Sequence, residues 1–216
     1  MIQTATFRGH AFKVCMGTTH PAYSLAIFSP GGEEHDFREQ HWKPEPGQFV
    51  VDVGASYGAY ALTAAACGAK VLAFEPEPTV AVDLERNVAL NPGFDVTVVR
   101  MALGNEAAGM VDMRSYAPHW PPQTISGDYP ASRLDAFDVP QCDLLKIDVE
   151  GLEADVLRGA MATLKRFHPV CIVEVHTFLK PTLLRECELL LQEAGYTAFE
   201  YVEREPCVMV IAKELK

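Results

Sequence analysis

From Gln48 onward, short apolar runs alternate with segments in which apolar residues recur every four positions, and few folds satisfy that alternation. Phe49 to Val53 reads as a strand, Tyr57 to Cys67 as an Ala-rich helix stopped by Gly68, and Val71 to Phe74 as a second strand, which makes a βαβ unit. Val80, Leu84 and Val88 mark the next helix, and Pro92-Gly93 ends it before a strand at Val96 to Met101. Leu144 to Ile147 and Val170 to Val175 are further strands, with Leu152, Val156, Ala160 and Leu164 as the buried stripe of one helix between them. Leu183, Leu184, Cys187, Leu190, Leu191 and Ala194 give another amphipathic helix, closed by Gly195. Nearly continuous apolar strands alternating with helices require an α/β fold with a mostly parallel sheet covered on both faces. The tail differs: Ala198 to Val202 and Cys207 to Ala212 are joined by a short Glu/Arg/Pro turn, so they pair as a C-terminal antiparallel hairpin at the sheet edge.

Ahead of this, His10 to Met16 and Ala22 to Phe28 read as strands of a small N-terminal β-hairpin, followed by a polar helix over Glu33 to Trp42. Pro44, Pro46 and Gly47 then separate an extension, residues 1–46, from a main domain, residues 47–216. A chain of 216 residues suits one domain with small additions, and 49% apolar with 22% charged residues excludes a disordered, collagenous or coiled-coil chain. The charge balance of 18 − 29 = −11, with no basic run, opposes a nucleic-acid or anionic membrane partner. The longest uncharged stretches, Val14 to Gly32 and Val53 to Ala69, carry glycines, the first also His20, Pro21 and Pro30, and neither reads as a membrane span. The opening residues lack the apolar core of a secretory signal, and six cysteines without a C-x-x-C pair fit buried free thiols; a cytoplasmic protein is expected.

In such sheets ligands bind beyond the carboxyl ends of the strands. After the first strand of the main domain comes Asp52-Val53-Gly54-Ala55-Ser56-Tyr57-Gly58, opening a helix. Gly54 permits a tight turn and close backbone approach, and the helix N-terminus offers unpaired N–H groups, although an ordinary strand-to-helix turn would look similar. The dinucleotide spacing G-x-G-x-x-G is absent. Glu75-Pro76 follows the second strand, with Glu75 placed 23 residues beyond Asp52, where a carboxylate can accept from two ribose hydroxyls. A nucleoside without phosphates needs no glycine-rich pyrophosphate loop, and S-adenosylmethionine is such a ligand. Its adenine is expected beside Met101-Ala102, at the end of the third strand.

Lys146, Asp148 and Glu150 alternate at the end of the next strand, and Glu174 and His176 stand two apart after the fifth. Charged groups inside an apolar strand end are costly unless paired or used, so either an ion pair of Lys146 with Asp148 or Glu150 or a catalytic role accounts for them.

Asp52 to Gly58, Ala73-Phe74-Glu75-Pro76, the segment Met101 to Asn105, Arg133-Leu134-Asp135 and above all Lys146-Ile147-Asp148-Val149-Glu150-Gly151 through Ala160, with Val173 to His176 behind it, resemble the FkbM family of S-adenosylmethionine-dependent methyltransferases over roughly Gly47 to His176. The family usually has Asn where this chain has Ser56. The resemblance implies the class I methyltransferase Rossmann-like fold with seven strands, S-adenosylmethionine as cofactor, and O-methylation of a small-molecule hydroxyl, often on a sugar or natural product. A nicotinamide-dependent oxidoreductase or a non-catalytic nucleoside-binding module would share the sheet. Tyr23, His35, Trp42, Tyr116, His119 and Trp120 are expected as walls of the acceptor pocket.

An aliphatic hydroxyl with a pKa near ~15.7 lies ~9 units above neutrality, about 12 kcal/mol, so a base or a metal must take its proton during transfer. Two arrangements fit. His176 or a carboxylate acts as base with Lys146 holding Asp148 or the alkoxide, or Asp148, Glu174 and His176 hold a divalent cation.

Overall fold

The computed structural model describes residues 1–18, 20–112 and 128–214. The main sheet has seven strands, mostly parallel, and the chain divides into two compact units, Met1–Arg100 and Met101–Lys216. Among the described residues no helix is long and apolar enough to cross a membrane. All six cysteines are free; Cys15 is half-buried and the other five are buried.

The first unit begins with the antiparallel hairpin β1 (Ile2–Phe7) and β2 (His10–Cys15), turned by Arg8 and Gly9, both at positive φ. Paired positive φ values are what a two-residue turn needs to match the strand twist. The hairpin therefore pairs earlier residues than the sequence reading gave. Ala22 to Phe28 is not its second strand: α1 (Pro21–Ala26) occupies most of that segment. Pro21 supplies a preset φ at the first helical turn, and Ser24 accepts from Gly17 N and donates to Pro21 O, so local bonds favour the helix. Next come α2 (Glu33–His41), β3 (Phe49–Val53), α3 (Ala59–Ala66), β4 (Lys70–Phe74), α4 (Pro78–Ala89) and β5 (Asp95–Val99). Strands β3, β4 and β5 run parallel, Phe49 opposite Lys70 and Lys70 opposite Asp95.

Helix α4 has Pro78 in its first turn and a side-chain cap, with Glu77 accepting from Val80 N. Val80 and Leu84 face the core, while Asp83, Asn87 and Asn91, four residues apart, face the hairpin. Asn91 accepts from Lys13 N and donates to Lys13 O, Asn87 accepts from Cys15 N, and Asp83 accepts from Thr18 N and Oγ1. A polar stripe thus ties β2 and the residues just after it to α4. Trp42 is fully buried, edge-on to Tyr60 at 5.2 Å, and His35 is buried as well; both belong to this unit's interior rather than to a pocket wall.

The second unit opens with β6 (Ala102–Leu103), β7 (Gly109–Asp112) and β8 (Asp128–Ser132), a small sheet in the order β6-β8-β7 that the sequence reading lacked. Tyr116 to Pro122, read as a loop, lies outside the described residues. Then follow β9 (Leu144–Ile147), α5 (Glu153–Gly159), α6 (Met161–Phe167), β10 (Val170–Val175), α7 (Leu183–Glu193), β11 (Ala198–Arg204) and β12 (Cys207–Lys213). β9 and β10 are parallel, and the expected terminal hairpin is present, with β12 antiparallel to both β10 and β11.

The single helix expected over Leu152 to Leu164 is two helices. Ala160 leaves the helical region, with φ −109° and ψ 6°. Asp135, in the Arg133-Leu134-Asp135 segment, caps α6 from outside: its carboxylate accepts from Ala162 N, Thr163 N and Thr163 Oγ1 at 2.7–2.9 Å. At the end of α5, a Cβ on Gly159 would overlap the Gly104 carbonyl oxygen and press on Arg133.

Candidate functional site

Two groups of side chains stand just beyond strand ends, one in each unit. In the first unit, the fully buried Asp52 is the penultimate residue of β3, and after Val53 the chain turns through Gly54 (φ 75°), Ser56 (φ 51°) and Gly58 (φ 94°). Gly54 and Ala55 donate their N–H groups to Phe74 O, which fixes the turn against the end of β4. A Cβ on Gly58 would come 2.6 Å from Leu84 Cδ1. Ser56 is the non-glycine residue in this left-handed run, a conformation asparagine tolerates better than serine. Ala55 and Tyr57 are buried, and Tyr57 is a structural post: its hydroxyl accepts from His20 N and its carbonyl from Asn87 Nδ2.

Glu75, buried at the end of β4, closes over this turn. Its Oε2 accepts from Ser56 N and its Oε1 from Glu77 N, each at 2.9 Å, with Pro76 between. The acid that sequence placed 23 residues from Asp52 is therefore held rigidly on the glycine turn. Met101 and Ala102, the expected neighbours of an adenine, belong to the second unit, where Ala102 is buried on β6 and pairs with Ala131.

In the second unit, β9 ends in Lys146 and Ile147, and a turn through Glu150 (φ 55°) and Gly151 (φ 105°) leads to α5. Lys146 is buried, and its Nζ lies 3.4 Å from Asp148 Oδ2, the ion pair that the alternation allowed. His176 follows β10 and is 4% exposed. Its Nδ1 donates to Glu153 Oε1 at 2.6 Å, while Nε2 lies 3.3 Å from Glu150 Oε2 and 3.8 Å from Asp148 Oδ1. Burial pushes the imidazole pKa down, but the hydrogen bonds to Cys207 and Glu153 and the charges of Asp148 and Glu150 outweigh it and lift it from 6.5 to about 12. The surrounding carboxylates thus favour the protonated imidazole. Glu174 sits 3.7 Å from Arg204 Nη1 and also gathers with His176 and Cys207, so His176 is shared by two groupings: Asp148, Glu150 and His176, and Glu174, His176 and Cys207.

The model of the methyltransferase FkbM domain matches residues 52–198. The chain belongs to the FkbM methyltransferase family. It is 30% identical, over 176 residues, to the hexuronic acid methyltransferase AglP of Haloferax volcanii, covering 76% of this chain and 69% of that one. Among solved structures, methyltransferase FkbM from Methylobacillus flagellatus superposes with a TM-score of 0.61 at 18% identity; 81% of this chain is covered, and it spans 46% of that protein. The 16S rRNA N2 methyltransferase of T. thermophilus, solved with AdoMet and guanosine, gives 0.55 at 16% identity, over all of this chain and half of the other. The FkbM assignment makes this chain a methyltransferase and accounts for its fold.

Sequence reasoning missed Glu153, Cys207 and Arg204. Glu153 stood in the first turn of a helix, where acids are ordinary partners of the helix dipole, so nothing marked it as the residue buried against His176. Cys207 and Arg204 reach the cluster from the terminal hairpin, across a pairing with β10 that no local pattern encodes.

Proposed function

We propose that this FkbM protein transfers the methyl group of S-adenosylmethionine to a hydroxyl of a sugar, with Glu75 and the Asp52–Gly58 turn holding the cofactor and Asp148 receiving the hydroxyl proton. The observation that carries the reading is the seating of Glu75: two backbone N–H groups fix its carboxylate at a strand end beside a left-handed turn. A carboxylate offers about four acceptor positions, so one held in this way suits the paired hydroxyls of a ribose. When bound, S-adenosylmethionine supplies an activated methyl on a sulfonium, which leaves alignment and proton removal to the protein.

For proton removal, the buried His176 has both ring nitrogens facing carboxylates that favour its protonated form, so the base is a carboxylate. Asp148 is the most open member of the cluster, with a side chain 30% exposed against 5% for His176. Lys146 holds its Oδ2, and the imidazolium supports the negative charge around it. A sugar acceptor is supported by the 30% identity to AglP, a hexuronic acid methyltransferase.

The test is calorimetric titration with S-adenosylhomocysteine and with NAD, followed by mass spectrometry of a hexuronic-acid glycan incubated with S-adenosylmethionine. Binding of the former alone, with one added methyl on oxygen, is expected. Binding of NAD instead would overturn the reading, and cofactor binding without transfer to any sugar would remove the acceptor class.

A further inference from the structure

The geometry points to a divalent-cation site formed by His176 Nε2, Glu150 Oε2 and Asp148 Oδ1, with Glu153 orienting the histidine from its other nitrogen. One donor atom from each of the three residues lies within 4.8 Å of the other two. Nε2 is 3.3 Å from Glu150 Oε2 and 3.8 Å from Asp148 Oδ1, both longer than the usual hydrogen bond of about 2.7–3.2 Å. Two ligands each about 2.1 Å from a shared ion and 90–120° apart stand roughly 3.0–3.6 Å from each other, so the first spacing fits as it is and the second needs a small rotation of the half-exposed Asp148 side chain.

The opposite nitrogen behaves differently. Nδ1 makes a short 2.6 Å bond to Glu153, and Glu153 is itself anchored by Gly151 N. A carboxylate on the far nitrogen is the arrangement that fixes ring orientation and raises ligand basicity in metal-bound histidines. Glu153 is fully buried, and among the described residues its Oε2 has no hydrogen-bond partner, which leaves the imidazole and Gly151 N as the hydrogen bonds of this carboxylate there. Charge agrees: three carboxylates, Asp148, Glu150 and Glu153, face one ammonium, Lys146, and one imidazole.

The second grouping is the weaker candidate. It offers one carboxylate where the first offers two, with the buried Cys207 thiol as its third donor; a cation faces a carboxylate in both, Arg204 beside Glu174 and Lys146 beside Asp148. Two hard oxygens with one imidazole favour Mn²⁺ or a similar transition ion over Mg²⁺. The site stands on its own geometry; an ion there would displace the Nε2 proton and take the place of the imidazolium beside Asp148, and its use in methyl transfer, lowering the acceptor hydroxyl pKa, rests on the methyl-transfer reading given under Proposed function.

The test is titration of EDTA-treated, desalted protein with MnCl₂, with free Mn²⁺ followed by electron paramagnetic resonance and melting temperature recorded for each sample. Wild type should take up one Mn²⁺ per chain below about 1 mM and melt higher when loaded. Glu150→Gln and Asp148→Asn should each weaken uptake by about tenfold or more. No uptake by wild type, or equal uptake by both variants, overturns the site; if one variant does not fold, the other and the wild-type stoichiometry decide. S-adenosylhomocysteine titrated into the same samples separates the two readings, since its binding without Mn²⁺ uptake would remove the metal alone.

Discussion

His176 Nδ1 lies 2.6 Å from Glu153 Oε1, and both side chains are buried in the second unit. The histidine pKa stands well above its ordinary 6.5, at about 12, so the stabilisation from the charged pair is complete below about pH 6.5 and is lost as pH rises toward 12. In chelator-treated protein, Glu153→Gln should therefore cost about 3 kcal/mol at mildly acidic pH and clearly less in alkaline buffer. Urea unfolding at both pH values measures this, and a loss that does not change with pH would show that the pair is not charged.

Glu75→Ala should weaken S-adenosylhomocysteine binding by about 1.5–3 kcal/mol, because ribose hydroxyls lose a charged acceptor. Ser56 N and Glu77 N lose theirs too, so melting should also fall. Glu75→Gln, which keeps two acceptor sites, should lie between wild type and Ala in calorimetry. Unchanged affinity in the Ala variant would move the ribose elsewhere.

Asn91 replaces a missing strand neighbour for Lys13, accepting from its N–H and donating to its carbonyl, both at 2.8 Å. Asn91→Leu loses these two bonds and the Nδ2 donation to Asn87 O, so it should cost about 3 kcal/mol, near 1 for each, and speed hydrogen exchange at the Lys13 amide. Exchange at wild-type rates would mean that the hairpin holds without this tie.

Gly159 ends α5 where the Gly104 carbonyl leaves no room for a Cβ. Gly159→Ala should destabilise by about 3 kcal/mol through overpacking against backbone that cannot swing away. Thermal unfolding within a degree of wild type would show that α5 can shift freely.

The order of strands and helices was legible in the sequence because burial on both faces leaves strands almost without polar residues, while helices keep a four-residue stripe. That is why β3, β9 and β10 fall where the apolar runs do, and why Glu75 and His176 could be read as strand-end residues from spacing alone. The sequence could not decide between helix and strand for Ala22 to Phe28, whose short apolar run suits either, or show that β1 begins at Ile2. It also gave one helix where α5 and α6 stand, since the break at Ala160 depends on Asp135, some 28 residues away, capping Thr163. The same limit hid Glu153: a first-turn acid looks solvated in sequence, and only the packing of α5 on β10 puts it against His176. Periodicity records which face of an element is buried, whereas the partner of a buried polar group is set by contacts between distant segments, and these exist only once the chain has folded.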